Sequence, residues 1–327
     1  MGKIGITTTI PVEIVYAAGH TPVDLNNVFV THHDSYELVE AAEAFGLPRN
    51  LCAWIKGIFS STTSNSRLDA VIGVTQGDCS NTRALMEVIE LLGIEVIPFA
   101  FPTDRDSKAL ARELEKLTKI LGASASDVRK TKKKLDQVRA QAQRIDELTW
   151  TENKISGEEN HLTLVNLSDF RGDFRKYTGE LSELIDRAGE RRPFQETVRL
   201  GFMGVPPIFT DLYEVVESLD ARIVYNEIQH QYSMPEKTDD IIEQYSRYTY
   251  PYGIYPRLEF IKKEIGKRNI HGLIHYVQSF CYHQVEDLIV RRELTEIPIL
   301  TLEGDKPGTL DSRSRLRLEA FIELIKG

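Results

Sequence analysis

A chain of 327 residues exceeds the size at which a single hydrophobic core usually stops growing, so two domains are expected. With 41% apolar residues and a formal charge of −9 it is an ordinary folded protein, and the acidic balance argues against a general attraction to nucleic-acid backbones or anionic lipid. No stretch reaches the ~18 consecutive apolar residues of a membrane helix. Met1-Gly2-Lys3 leads straight into a strand without a signal-like core, so a cytoplasmic protein is expected.

The first hundred residues alternate strand and helix. "KIGITTTIPVEIVYAAGHTPVDL" predicts a strand, a threonine loop, a helix carrying Ile14, Ala17 and Ala18, a stop at Gly19 and a strand through Val23. Thr8 or Thr9 is expected to cap that helix, with Pro11 in its first turn, or to contact a ligand. "LPRNLCAWIKGIFSS" predicts a short helix with Cys52 in its first turn. Residues 68–101 then form a strand, helix and strand unit broken at Gln76-Gly77-Asp78-Cys79-Ser80-Asn81. From Asp104 to about Arg192 the pattern changes to long polar helices, with Ser124 or Ser126 as a cap and turns at Gly157 and Gly172. Val128, Leu135, Val138, Ala142 and Ile145 recur at helical spacing around the run Arg129-Lys130-Thr131-Lys132-Lys133-Lys134, so those lysines read as a solvated helix face.

Alternation returns after residue 195. "VRLGFMGVPPI" is a strand ending in a Gly-Val-Pro-Pro turn, a helix follows from Asp211, and "ARIVYNEI" is a strand. A helix and a strand ending at Cys281 follow, then a further helix and strand through "IPILTLEGD", and a closing helix in "SRLRLEAFIELIKG". The expected organisation is an α/β domain over 1–105, a helical insert over 106–195 and a second α/β domain over 196–327, with parallel sheets covered by helices.

Three cysteines lie 27 and 202 positions apart, too few and too scattered for a disulfide framework. Cys79 and Cys281 fall where a strand gives way to a helix, and Cys52 opens a helix. In open parallel sheets ligands collect at that end of the strands, and helix N-termini favour thiolate over thiol. Three thiolates meeting across a cleft would suit a zinc ion with one open position or a four-iron cluster with one iron free, and the spacing does not choose between them. Gly77 and Asp78 would shape the approach to such a group. His283, opening the helix after Cys281, is a candidate proton donor, whereas His275 reads as a core histidine within a strand. Glu303 and Asp305 lie on the same rim; His20, His32 and His33 are too loosely placed to use.

The segments "IPVEIVYAAGHTPVDL", "LPRNLCAWIKG", "VTQGDCSNTRAL", "RLGFMGVPP", "GLIHYVQSFCYHQVED", "EIPILTLEGD" and "RLEAFIE", in this order and with all three cysteines in place, carry a family resemblance over nearly the whole chain. The chain resembles the D-component superfamily of 2-hydroxyacyl-CoA dehydratases and benzoyl-CoA reductases. That resemblance implies two Rossmann-like domains with a 4Fe-4S cluster in the cleft between them, held by Cys52, Cys79 and Cys281 and leaving one iron open or bound by a non-protein ligand. It implies an ATP-dependent iron–sulfur activator that delivers one electron at low potential, a ketyl radical at a thioester carbonyl that expels the 2-hydroxyl, and work in pairs of related subunits or as a dimer. Enzymes of known activity usually carry an additional stretch before the segment that here starts at Lys3; the adjacent cysteine pair of the double-cubane branch is not found, and no residue set is assignable to the CoA phosphates. The expected function is low-potential reductive or radical chemistry on a small acyl-thioester. An electron-transfer partner without its own substrate, a non-CoA reductase on the same fold, and a zinc or metal-free protein are the rivals.

Overall fold

The computed structural model describes residues 2–64 and 68–327. Its strands form two separate four-stranded sheets, parallel throughout. The first contains β1 (Lys3–Ile6), β2 (Thr21–Asp24), β3 (Leu68–Gln76) and β4 (Glu95–Ala100), in the order β2-β1-β3-β4. The second contains β5 (Val198–Gly204), β6 (Ala221–Asn226), β7 (Gly272–Gln278) and β8 (Ile299–Gly304), in the equivalent order β6-β5-β7-β8. Parallel strands need crossover connections, which place helices on the faces, and this is why β7 is buried along its whole length and β3 through Ala70–Val74. The chain therefore has the α/β architecture expected of two Rossmann-like units.

One face of the first sheet packs Ile4, Ile6, Ile72 and Val74 against the helices Ser107–Ile120, Ala125–Trp150 and Phe174–Glu190. Residues 106–195 thus share a single core with the first sheet. Val128, Leu135, Val138, Ala142 and Ile145 form the buried stripe of the 26-residue helix, as their spacing requires, and Ser124 caps it by accepting from the Asp127 backbone N–H. The solvated-lysine reading fails at one residue. Lys132 is buried, and its ammonium donates to Asp136 Oδ2 and to the Thr238 carbonyl, both at 2.6 Å. A buried ammonium is tolerable only with such compensation, and helical periodicity cannot foresee a partner 106 residues away. Gly157 is also not a turn. It is the first residue of the helix Gly157–Val165, capped by Ser156, and a Cβ there would lie 2.9 Å from the Ile223 carbonyl of β6. Gly172 does turn, with φ +72.

The two sheets are tied together by exchanged segments. Phe29, Leu38, Val39 and Ala53 from the first half join the core around β5, β6 and β8, while Ile228, Tyr232, Tyr245, Tyr248 and Tyr252 from the second half join the core of the first sheet. Arg139, on the long helix, is buried with Glu13 at 2.7 Å, and Glu13 also accepts from Gln244 and Tyr245. That one carboxylate therefore binds three elements far apart in the chain. Arg139 beside it holds its pKa below the ordinary carboxylate value despite complete burial.

Candidate active site

In each sheet the strand order reverses between the first strand and its later neighbour: β1 and β3 in one, β5 and β7 in the other. Outside the carboxyl ends of a reversed pair the flanking loops diverge and leave a crevice, the usual ligand position in open α/β sheets. Here the two crevices face each other. Thr7, Thr8 and Thr9 follow β1, Asp78 and Cys79 follow β3, Val205-Pro206-Pro207 follow β5 and Cys281 follows β7, and all of them line one cavity of about 330 Å³.

Cys52 lines the same cavity. Each cysteine stands immediately before a helix: Cys52 before Ala53–Ser64, Cys79 before Ser80–Leu91, and Cys281 before the 3-10 turn Tyr282–Glu286. Backbone N–H groups of the first turn therefore favour charge on the sulfurs, those of Trp54 and Ile55 on Cys52, Thr82 and Asn81 on Cys79, and His283 on Cys281, and Cys79 Sγ also meets Thr82 Oγ1 at 3.4 Å. The helix N-termini do not by themselves make thiolates, contrary to the expectation from sequence. Burial outweighs the N–H groups and pushes Cys52 up to about 11 and Cys281 up to about 12, with Cys79 raised in the same sense. Among the described residues no lysine or arginine lines the cavity to reverse this, so the surroundings favour the neutral thiols.

Thr8 and Thr9 do not cap the first helix. Val12–Ala17 begins at Pro11 without a side-chain cap, and both threonines are turned into the cavity wall. Thr9 Oγ1 is buried without a hydrogen-bond partner, whereas Thr7 Oγ1 accepts from the Val74 backbone and so fastens β1 to β3. Asp78 accepts from the Cys79 backbone N–H at 2.8 Å and from Thr82 Oγ1 at 3.0 Å, closing the loop around Cys79, and burial pushes it up to about 6. Gly77 has φ +94, and a Cβ there would lie 2.8 Å from both Phe101 Cβ and Pro251 Cβ.

His283 lines the cavity next to Tyr282. Its Nδ1 meets Glu286 Oε2 at 2.6 Å, and its buried Nε2 has no protein partner. Glu286 also receives Arg257 Nη1 at 3.0 Å, and Arg257 forks onto both oxygens of Glu227. His283 and Arg257 keep Glu286 below its ordinary value, so it accepts the Nδ1 proton and leaves the buried Nε2 unpartnered. His275 is the core histidine its strand pattern indicates, bonded to Asp287 at 2.7 Å. Glu303 stands behind the wall, accepting from Ser279 and Gln284, and Asp305 offers only its carbonyl, to Gln278.

Several cavity residues carry no sequence signal. Asn26 Nδ2 donates to the Thr7 carbonyl and to Asp24 Oδ1, both at 2.9 Å, and so pins the threonine loop. His161 stacks on Tyr213 at 5.1 Å and meets Gln229 at 2.9 Å; burial pushes it down to about 4, so it is uncharged at neutral pH. Tyr232 and Tyr250 arrive from the segment that crosses between the halves. Their nearest sequence signals are ordinary helix periodicity, which marks burial without saying which wall a residue faces.

The donor set tests what the cavity can hold. The three sulfurs do not all come within 4.8 Å of one another; the one such grouping among the described residues is His32, His33 and Glu37, elsewhere on the surface. Thiolates sharing one tetrahedral ion at about 2.3 Å from the metal would sit roughly 4 Å apart. Three thiols, one buried and two half-buried, that share one cavity without all closing to within 4.8 Å suit a larger group better than a single tetrahedral ion. No described helix is long and apolar enough to cross a membrane. The family model for the 2-hydroxyglutaryl-CoA dehydratase D-component matches residues 7–325. No curated protein matches the chain.

Proposed function

The chain belongs to the 2-hydroxyglutaryl-CoA dehydratase D-component family, and on that premise we propose that it is a subunit of a reductive dehydratase acting on a small 2-hydroxyacyl thioester in the cytoplasm. Cys52, Cys79 and Cys281 would hold a 4Fe-4S cluster with one iron free of protein ligands. Such a cluster supplies single electrons at low potential and an open coordination position. An ATP-dependent iron–sulfur activator would deliver the electrons, and a second, related subunit or another copy would complete the enzyme. The observation that carries this reading is that three cysteines, drawn from both halves of a 327-residue chain, open helices around one 330 Å³ cavity.

The chain's own residues have assignable work. Thr8 and Thr9 offer hydroxyls to a carbonyl or hydroxyl oxygen of the substrate. His283, oriented by Glu286 and Arg257, would exchange a proton at Nε2 when the hydroxyl leaves. Gly77 and Asp78 hold Cys79 in place. A pure electron carrier has no use for a cavity of this size beside its cluster, which favours a substrate enzyme.

The reading is tested by iron and sulfide content, with optical and EPR spectra before and after dithionite, on anaerobically purified protein beside a Cys79→Ala variant. The expected result is about four irons per chain, a brown colour bleached by reduction, and loss of the cluster in the variant. Colourless protein containing zinc or no metal after anaerobic reconstitution would overturn it.

A further inference from the structure

The charges of the cavity wall bear on the substrate. Among the described residues no lysine or arginine lines it, whereas three acids do: Asp24, Asp78 and Glu158. The nearby cations are already engaged. Arg257 is buried between Glu227 and Glu286, and Lys306, next in the chain to Pro307 of the wall, reaches across to the Tyr36 hydroxyl at 3.1 Å. The wall acids are not a trap for a cation either. Asp24 accepts from the backbone and side chain of Asn26, and Asp78 accepts from Cys79 and Thr82. Burial holds Asp24 and Glu158 above their ordinary values, so the surroundings disfavour negative charge.

The polar atoms left over are neutral. Thr9 Oγ1, Trp54 Nε1 and His283 Nε2 belong to the wall and are buried without partners. Between them the wall is apolar, with Ile55, Ile58, Leu162, Val165 and Phe209. The cavity's 330 Å³, shared with the proposed cluster, has no room for a whole coenzyme A, so only the acyl end of a thioester would enter.

Given the proposed thioester substrate, we infer that this cavity takes an uncharged 2-hydroxyacyl group with an apolar or amide-bearing side chain and rejects an acyl group carrying a second carboxylate. A side-chain carboxylate inside would be desolvated against a largely apolar wall that offers, among the described residues, three acids and no lysine or arginine to pair with it, and an unpaired charge in a partly desolvated site is a strong discriminator. An apolar side chain or a neutral amide meets neither penalty.

Calorimetric titration of the anaerobically purified, iron-containing protein with pantetheine thioesters isolates this effect, because pantetheine removes the nucleotide phosphates. The probes are 2-hydroxy-4-methylpentanoyl-, 2-hydroxy-4-carbamoylbutanoyl- and 2-hydroxyglutaryl-pantetheine, the last two nearly identical in shape and different in charge. Both neutral thioesters are expected to bind ~10-fold or more tightly than the dicarboxylic one. Equal or tighter binding of the 2-hydroxyglutaryl thioester would overturn the inference and leave the thioester reading standing. Failure of all three to bind would overturn both.

Discussion

The first sheet places Cys79 three residues after Gln76, the last residue of β3, and the second sheet places Cys281 three residues after Gln278, the last residue of β7. The topology is the same and the local chemistry differs. Around Cys79 the loop is self-contained: Gly77 at positive φ turns the chain, Asp78 ties the Cys79 N–H to Thr82, and a 12-residue helix follows. Around Cys281 the turn is made by Phe280 at φ +63, rare for a bulky residue, and only a short 3-10 turn follows. What holds it comes from elsewhere: Ser279 on Glu303, and His283 on Glu286 and Arg257, which anchors in turn to Glu227 and so to the end of β5. One thiol is positioned by its own loop, the other by an ion-pair network spanning several elements. The buried acids divide the same way. Glu227 and Glu286 are neutralised by Arg257, while Asp24 and Asp169 near the first sheet are buried against each other.

Arg257→Met should break the second arrangement hardest. It strands the buried Glu227 carboxylate and takes one of the two partners of Glu286, for which a loss of about 3–5 kcal/mol is expected. Urea unfolding would measure it, and a loss below about 1 kcal/mol would mean the network is not what fixes the Cys281 loop. Gly77→Ala attacks the first loop through backbone alone, combining positive φ with Cβ contacts at 2.8 Å, and should cost about 1–3 kcal/mol in the same assay.

The smallest effect should appear in pH dependence. Burial beside Asp24 pushes Asp169 up to about 7, against an unfolded value of about 3.9. The folded state then keeps a proton that the unfolded chain releases, so this contribution is fully present below about pH 4 and is lost as pH rises through 7. Asp169→Asn should flatten the fall of the thermal midpoint between those values. An unchanged slope would mean that the first half's acids are as well compensated as the second half's.

Much of this arrangement is legible in the residue order. Alternating apolar runs and glycine or proline breaks mark both parallel sheets, and cysteines embedded in polar stretches at strand ends, Gly-Asp-Cys-Ser and Ser-Phe-Cys-Tyr-His, stand apart from the buried runs beside them. The rest depends on contacts no local pattern encodes. Asn26, His161 and Tyr250 reach the cavity because helices from distant parts of the chain close its sides, and Arg257 matters only because Glu227 and Glu286 fold against it. The thiols read as thiolates from helix position alone because sequence reports the helix N-terminus and not the depth of burial, which decides the proton here. Lys132 and Gly157 escape the local pattern for the same reason: each answers to a partner element, Thr238 in one case and β6 in the other.

The distribution of the cysteines also bears on biosynthesis. Cys281 leaves the ribosome 202 residues after Cys79, by which time the first sheet and its helices are already made. A cluster held by all three, as proposed, could be completed only after Cys281 has been made. On the proposed function, the metal-free protein would wait as a folded intermediate, and its protonated thiols suit that wait, because a protonated sulfur is a poor nucleophile and resists premature oxidation.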